Sequence, residues 1–323
     1  MNINSIGRGL SKYLKALNIL SKESGISKWW LYCDCFWAHI RYGCVLNHYT
    51  EGQFYRRRSY ERKKIFTYRK WLKVLKYNDK NYIHLLKDKV DFNIFFQEYV
   101  GRDWLCSKEL NYEDFLKFIN SHQSVFVKPI DGLEGDGCQI IEFDKGTNYS
   151  ALYNKLKNGC YLIEEVVKQH SDMIFGNKSV NTIRVYTIFD KKIDKAVCIK
   201  TTLRAGIGDS IVDNSHSGGI SYEIDLKTGI IDSRGWGHAN SGGIIHPGSD
   251  ICMLGKKIPF WGDVIRMCEA AAAKIPQVRY IGWDVAITSH GPLLIEGNNT
   301  PDLDIMEFVG NYGYYDIIMS HLK

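Results

Sequence analysis

The sequence has no uncharged apolar run near the ~20 residues that a membrane-spanning helix needs. Met1–Leu20 also lacks the apolar core and cleavage site of a signal peptide, so neither a span nor a leader is expected. C-x-x-C spacing is absent: the nine cysteines are scattered, and Cys33 and Cys35 stand too close for a standard zinc half-site. A disulfide scaffold and a zinc ribbon are therefore not expected, and a reducing cytoplasm is the expected setting. Proline is scarce, six in 323 residues and none in the first 75, so nothing there breaks a helix. There is no internal repeat and no low-complexity linker. What is present is ordinary for a globular chain, 45% hydrophobic and 24% charged, which excludes wholesale disorder. The length suits one large domain or two modest ones.

Charge is unevenly spread. The net charge of +6 combines +11 in residues 1–75, with 15 Lys and Arg against four Asp and Glu, and −5 in the remainder. A basic front on a mildly acidic body suggests an anionic partner, whether membrane surface, nucleic acid or acidic glycan; an ordinary solvated surface is the alternative. Leu10, Leu14, Leu17 and Leu20 recur at helical spacing. Between Gln53 and Trp71 six aromatic residues interleave with Arg56, Arg57, Arg58, Arg62, Lys63 and Lys64. Such mixing suits base stacking or a headgroup interface, but more often the rings pack inward while the cations snorkel out.

Beyond Asn78 the pattern predicts a helix over Lys80–Lys87, entered through Asn78 or Asp79 as N-cap. Strands are expected at Val125–Lys128, Gln139–Phe143 and Tyr161–Val167, with helices at Tyr149–Lys157 and Trp261–Lys274. From Val180 to Ile287 short strands alternate with turns. Interleaved strands and helices make the body α/β or α+β.

Two passages suggest a nucleotide cradle. Lys128-Pro-Ile-Asp-Gly132-Leu-Glu-Gly135-Asp-Gly137 holds three glycines in six positions between two expected strands. Backbone N–H groups there can approach phosphate oxygens closely, with Lys128 as a fixed cation; a glycine-rich hairpin turn is the alternative. It is neither a Walker loop nor a Rossmann turn. Tyr161-Leu-Ile-Glu164-Glu165-Val166-Val167 would offer backbone groups and apolar walls to an adenine, unless it is a buried strand ending in a charged pair.

The strongest passage runs from Tyr280 to Asn298. Two apolar strands flank Ser289-His290-Gly291, read as a three-residue hairpin loop. Pairing Thr288 with Pro292 sets Asp284 opposite Glu296, with Asn298 on the same face. Two carboxylates ~5 Å apart repel by roughly 3 kcal/mol at an effective dielectric of 20. A Mg²⁺ ion, which takes all-oxygen ligands, turns that repulsion into coordination. A solvent-facing hairpin with chance acids is the alternative.

Glycine loop, hinge and acidic hairpin in this order resemble the ATP-grasp superfamily from about Lys76 to the C-terminus. The closest likeness is to the sugar-transfer-associated ATP-grasp proteins of capsule and surface-polysaccharide gene groups. Val180-Asn-Thr-Ile-Arg184, Arg204, Val212-Asp-Asn214 with Gly218-Gly219, and Gly282-Trp-Asp284 through Glu296-Gly-Asn298 carry it. The resemblance implies an α+β ATP-grasp fold of two lobes over residues 76–323, behind a helical extension of residues 1–75. Residues 121–170 would form the lid and 171–323 the metal-binding lobe. Lys80 and Lys128 would contact phosphate, and Gly132, Gly135 and Gly137 would form the flap. Glu164, Glu165 and Val167 would meet adenine, and Asp284, Glu296 and Asn298 would hold Mg²⁺ or Mn²⁺ against ATP. Arg184 and Arg204 would face the transferred phosphate or the acceptor.

The implied chemistry is carboxylate–amine ligation through an acyl phosphate, acting on a glycan or sugar precursor. One expected case joins an amino acid to a uronic acid. Sugar or polyol phosphorylation and a non-catalytic ATP-binding accessory role are the rivals. A loop histidine, His216, is a candidate substrate contact. The D-alanine–D-alanine ligase branch carries an arginine two residues before the first metal carboxylate; here that residue is Gly282, so Arg184, Arg204 or Arg279 would stand in. The basic front would touch an anionic membrane peripherally; nucleic acid is not an expected partner.

Overall fold

A computed structural model describes residues 3–132, 136–144, 146–208, 219–237 and 243–323 of the chain. They fall into two compact units, Met1–Lys76 with Asp302–Lys323, and Tyr77–Pro301.

The first unit is helical. α1 (Ile3–Ser24) and α2 (Lys28–Tyr42) share a core in which Leu17 and Leu20 meet Leu31, Cys35 and Ala38. Gly43, at φ 69°, takes the left-handed conformation that ends α2, and its N–H donates to the His39 carbonyl at 2.9 Å. Three short helices follow: α3 (Leu46–Thr50), α4 (Ser59–Lys64) and α5 (Tyr68–Leu75). Phe54, Tyr55 and Phe66 of the basic-aromatic stretch are buried, so half of its six rings serve packing, whereas Tyr60 and Tyr68 are exposed. Asp34 of α2 is the polar anchor, accepting from Arg62 at 2.7 and 2.9 Å and from the Tyr49 hydroxyl at 2.7 Å.

The end of the chain belongs here too. α12 (Leu303–Phe308) and α13 (Tyr315–Leu322) were expected in the metal-binding lobe, but they pack in the first unit. The physical reason is aromatic and polar: Tyr315 lies 5.9 Å from the Phe66 ring, Arg57 sits 4.2 Å over Tyr312, and His48 Nε2 meets Asp304 Oδ1 at 2.8 Å.

The second unit holds two antiparallel sheets. The smaller comprises β1 (Trp104–Cys106), β2 (Ser124–Pro129), β3 (Gln139–Glu142) and β4 (Tyr161–Glu165), in spatial order β1-β4-β2-β3. Because β1 precedes residue 121, this sheet begins ahead of the expected lid. α9 (Tyr112–Ser121) and α10 (Tyr149–Lys157) pack Phe115, Phe118, Ile119 and Leu156 against Val125, Val127 and Ile163. Their N-caps are Asn111 and Asn148, whose side chains accept from the backbone N–H of Asp114 and Ala151, the third residue of each helix.

The larger sheet comprises β5 (Thr182–Asp190), β6 (Lys195–Ala205), β7 (Ile220–Glu223), β8 (Tyr280–Thr288) and β9 (Gly291–Asn298), in order β7-β6-β5-β8-β9. α11 (Trp261–Lys274) contributes Val264, Cys268, Ala271 and Ala272 to its core. The helix expected over Lys80–Lys87 shortens to α6 (His84–Lys87), followed by α7 (Lys89–Phe95) and α8 (Gln97–Val100). Asn78 is not its cap. Its amide donates to the carbonyls of Tyr280 (2.8 Å) and Asn299 (2.9 Å) and accepts from the Tyr280 N–H (2.8 Å), tying the start of the unit to its end. Among the described residues no helix is long and apolar enough to cross a membrane.

Candidate functional site

Within the second unit a cavity of about 370 Å³ is lined from both sheets. Its floor is the β8–β9 hairpin. The turn is tighter than the sequence suggested: Thr288 pairs with Gly291, leaving two turn residues, and Ile287 rather than Thr288 faces Pro292. Continued regularly, that register would set Asp284 opposite Ile295. A β-bulge between Asp284 and Val285 takes up the extra residue, and Asp284 pairs with Glu296 after all. Asn298 pairs with Gly282 and donates to Glu296 Oε1 at 3.1 Å.

Asp284 is buried and held by two arginines. Arg184 on β5 donates through Nε to Oδ1 and through Nη2 to Oδ2 at 3.0 Å; Arg204 on β6 donates to Oδ2 at 2.7 Å. Burial alone would raise the Asp284 carboxyl, but the two guanidinium charges outweigh it and hold it at about 2. Glu296 opens onto the cavity with protein on its other sides. Burial and the neighbouring Asp284 charge push its carboxyl above the usual range. Two carboxyl groups with a carboxamide oxygen two residues on are an all-oxygen donor set of the kind Mg²⁺ takes, with both Asp284 oxygens also engaged by the arginines.

Arg184 also explains Gly282. A Cβ there would lie 2.6 Å from the Pro301 Cβ and 3.1 Å from Arg184 Cδ. No side chain fits at position 282, and the Arg184 stem fills the space beside it. Arg279 points elsewhere, donating to the Phe189 carbonyl at 2.9 Å.

The opposite wall centres on Glu164, whose side chain is buried on β4. It accepts from Arg102 at 2.8 Å, Lys128 at 2.8 Å and Asn93 at 3.1 Å. Burial opposes its charge, but Arg102 and Lys128 prevail and bring the carboxyl down to about 2. The expected backbone role for Glu164 is not what its position offers, because it pairs with Trp104 on one side and Phe126 on the other. Glu165 is likewise in the ladder, its N–H donating to the Asp103 carbonyl at 2.9 Å. The strand ends there, short of the expected Val167, and Val166 and Val167 line the cavity as the chain leaves the sheet.

Lys128 and Gly132 line the cavity, whereas Lys80 stands exposed and is not part of its wall. The second wall lysine is Lys89, at the start of α7. Its ammonium donates to the carbonyls of Pro129 (2.6 Å), Ile130 (3.0 Å) and Gly132 (2.7 Å), gripping the glycine loop at its root. Burial and the Lys128 charge lower its pKa. Gly137, at φ 73°, uses the left-handed region where the loop rejoins β3. Gly135, Val212 to Gly218 and His216 lie outside the described residues. Lys89 and Arg102 carry no local motif. Arg102 matters because it bridges the sheets, donating to the Leu294 carbonyl on β9 at 2.6 Å as well as to Glu164.

A family model for sugar-transfer associated ATP-grasp proteins matches residues 72–319. The chain belongs to that family. This sugar-transfer associated ATP-grasp protein has no match among curated proteins. Solved structures similar to it include the ATP-grasp ligase PsnB complexed with minimal precursor, Mg and ADP, at 13% identity and a TM-score of 0.46, covering 76% of this chain and 62% of that one. Another is the D-alanine–D-alanine ligase from Bacillus anthracis complexed with ATP, at 15% identity and a TM-score of 0.41, with 74% and 66% covered. N5-carboxyaminoimidazole ribonucleotide synthetase from Thermotoga maritima aligns at 12% identity and a TM-score of 0.43, with 75% and 50% covered. The sugar-transfer associated ATP-grasp chain thus spans about three-fifths of the length of PsnB.

Proposed function

We propose that this protein is an ATP- and Mg²⁺-dependent carboxylate–amine ligase acting on a glycan or sugar precursor in surface-polysaccharide biosynthesis, one case being an amino acid joined to a uronic acid. The observation that carries the proposal is the Asp284–Glu296 pair, set side by side by the bulge and facing a cavity rimmed with Lys89, Lys128 and Arg204.

In this reading Asp284, Glu296 and Asn298 hold Mg²⁺, which neutralises phosphate charge when bound. Lys128 contacts the nucleotide phosphates, and Lys89 anchors the root of the glycine loop through the carbonyls of Pro129, Ile130 and Gly132. Val166 and Val167 wall the adenine. Arg184 and Arg204 steady Asp284 and face the phosphate in transfer or the acceptor carboxylate. The acceptor carboxylate attacks the γ-phosphorus and ADP leaves; the amine then attacks the acyl phosphate, releasing phosphate and a proton as the amide forms. The chain's share is alignment and charge neutralisation rather than covalent catalysis. We further propose that the protein works in the cytoplasm, with its basic residues 1–75 touching an anionic membrane surface.

Mass spectrometry of reactions containing ATP, Mg²⁺, uronic acids and amines tests the ligase. Condensation with loss of water supports it; gain of one phosphate without amine means a sugar or polyol kinase. Glu296→Gln is expected to lower turnover at least about a hundredfold. Nucleotide binding with no product from either chemistry would leave only the accessory role.

A further inference from the structure

The second helix of the first unit is apolar on two opposite faces. Leu31, Cys35 and Ala38 are buried in the helical core, and Gly43 fixes where the helix stops. The other face carries Trp29, Trp30, Cys33, Phe36, Trp37 and Ile40, all exposed; Trp29 is 68% accessible, Phe36 66% and Trp37 55%. At 100° per residue these six fall within an arc of about 120°, and no charged residue interrupts it. Exposed Arg41 stands beside one edge of it, and exposed Lys28 precedes Trp29 at the start of the helix. Ordinary soluble surfaces scatter large apolar side chains singly; a continuous aromatic stripe marks something that covers it.

We propose that this face of α2 inserts into the headgroup–acyl boundary of an anionic bilayer, lying in the membrane plane. Three tryptophans in one stripe suit that boundary, where an amphipathic indole keeps its ring in the apolar layer and its N–H near water. The flanking cations and the +11 charge of residues 1–75 complement anionic headgroups, which a self-complementary contact between two such positive surfaces would not favour. The opposite face holds the helix to its own core through Leu31, Cys35 and Ala38, with the Cys35 Sγ 2.8 Å from the Tyr13 hydroxyl, so insertion needs no unfolding. The inference rests on the peripheral-membrane reading above and adds to it a named apolar surface and a depth.

Co-sedimentation with phosphatidylcholine–phosphatidylglycerol vesicles tests it, with tryptophan quenching by brominated acyl chains as the depth readout. The full chain is expected to bind and be quenched. The triple variant Trp29→Ser, Phe36→Ser, Trp37→Ser is expected to bind at least about tenfold more weakly while keeping its circular dichroism, since all three side chains are exposed. Trp29→Phe with Trp37→Phe is expected to keep binding and lose most of the quenching. Binding that salt abolishes and the serine variant leaves unchanged would overturn insertion while retaining electrostatic contact. No binding to any vesicle would overturn both. A wild-type dimer that the serine variant dissociates, without vesicle binding, would mean that a second copy covers the stripe and would also overturn the proposal.

Discussion

Replacing Glu164 with Gln keeps the side chain's shape and removes its charge, leaving Arg102 and Lys128 facing one another around a buried neutral amide. The Glu164 carboxyl is held at about 2 against an ordinary 4.5. A folded-state pKa below the unfolded one means the stabilisation is fully present above about pH 4.5 and disappears as pH falls through about 2. The difference corresponds to about 3 kcal/mol at pH 7 and about 1 kcal/mol near pH 3. Removing one partner from a buried ion pair independently leads to a loss of roughly 3–5 kcal/mol. Urea unfolding followed by circular dichroism should therefore show Glu164→Gln with a midpoint lowered by about 1 M at pH 7. The gap between variant and wild type should narrow markedly by pH 3. A gap that is the same at both pH values would refute the reasoning, because a packing defect does not titrate.

Asp34→Ala in the first unit leaves the Arg62 guanidinium and the Tyr49 hydroxyl without their common acceptor and should destabilise by about 3–5 kcal/mol, read from thermal unfolding. Gly282→Ala drives a methyl to 2.6 Å from the Pro301 Cβ, and neither backbone can yield freely; a loss of about 1–3 kcal/mol and lowered activity are expected, and a neutral melting temperature would contradict the close approach. Lys89→Met frees three carbonyls at the root of the glycine loop and should raise KM for ATP about tenfold with a smaller change in kcat. A purely structural role would lower the melting temperature and leave KM where it was.

What could be seen in the sequence was whatever is local. The acids of the β8–β9 hairpin were visible because both strands and their turn lie within twenty residues; the two-residue turn and the bulge at Asp284, which together set Asp284 opposite Glu296, were not. The Lys128 to Gly137 loop was visible for the same reason. Arg102 and Lys89 were not, because each works on partners far along the chain, Leu294 and the Pro129–Gly132 carbonyls, and neither sits in a pattern. Lys80 rested on the family resemblance alone, and it stands exposed outside the cavity wall while the neighbouring Asn78 gives its amide to Tyr280 and Asn299. Interleaved strands and helices narrowed the body to α/β or α+β, and the family resemblance supplied the rest of the fold class. The docking of α12 and α13 into the first unit was not, since the partners Phe66 and Tyr315 meet only in three dimensions.

The bulge on β9 does more than rescue a pairing. An unbroken strand sends consecutive side chains to opposite sides, yet Ile295 and Glu296 both line the same chamber. Hydrocarbon and acid thus arrive as neighbours in one short stretch of backbone. Trimming or enlarging residue 295 would reshape the room beside the carboxyl without altering the carboxyl itself, a handle on what the chamber can hold.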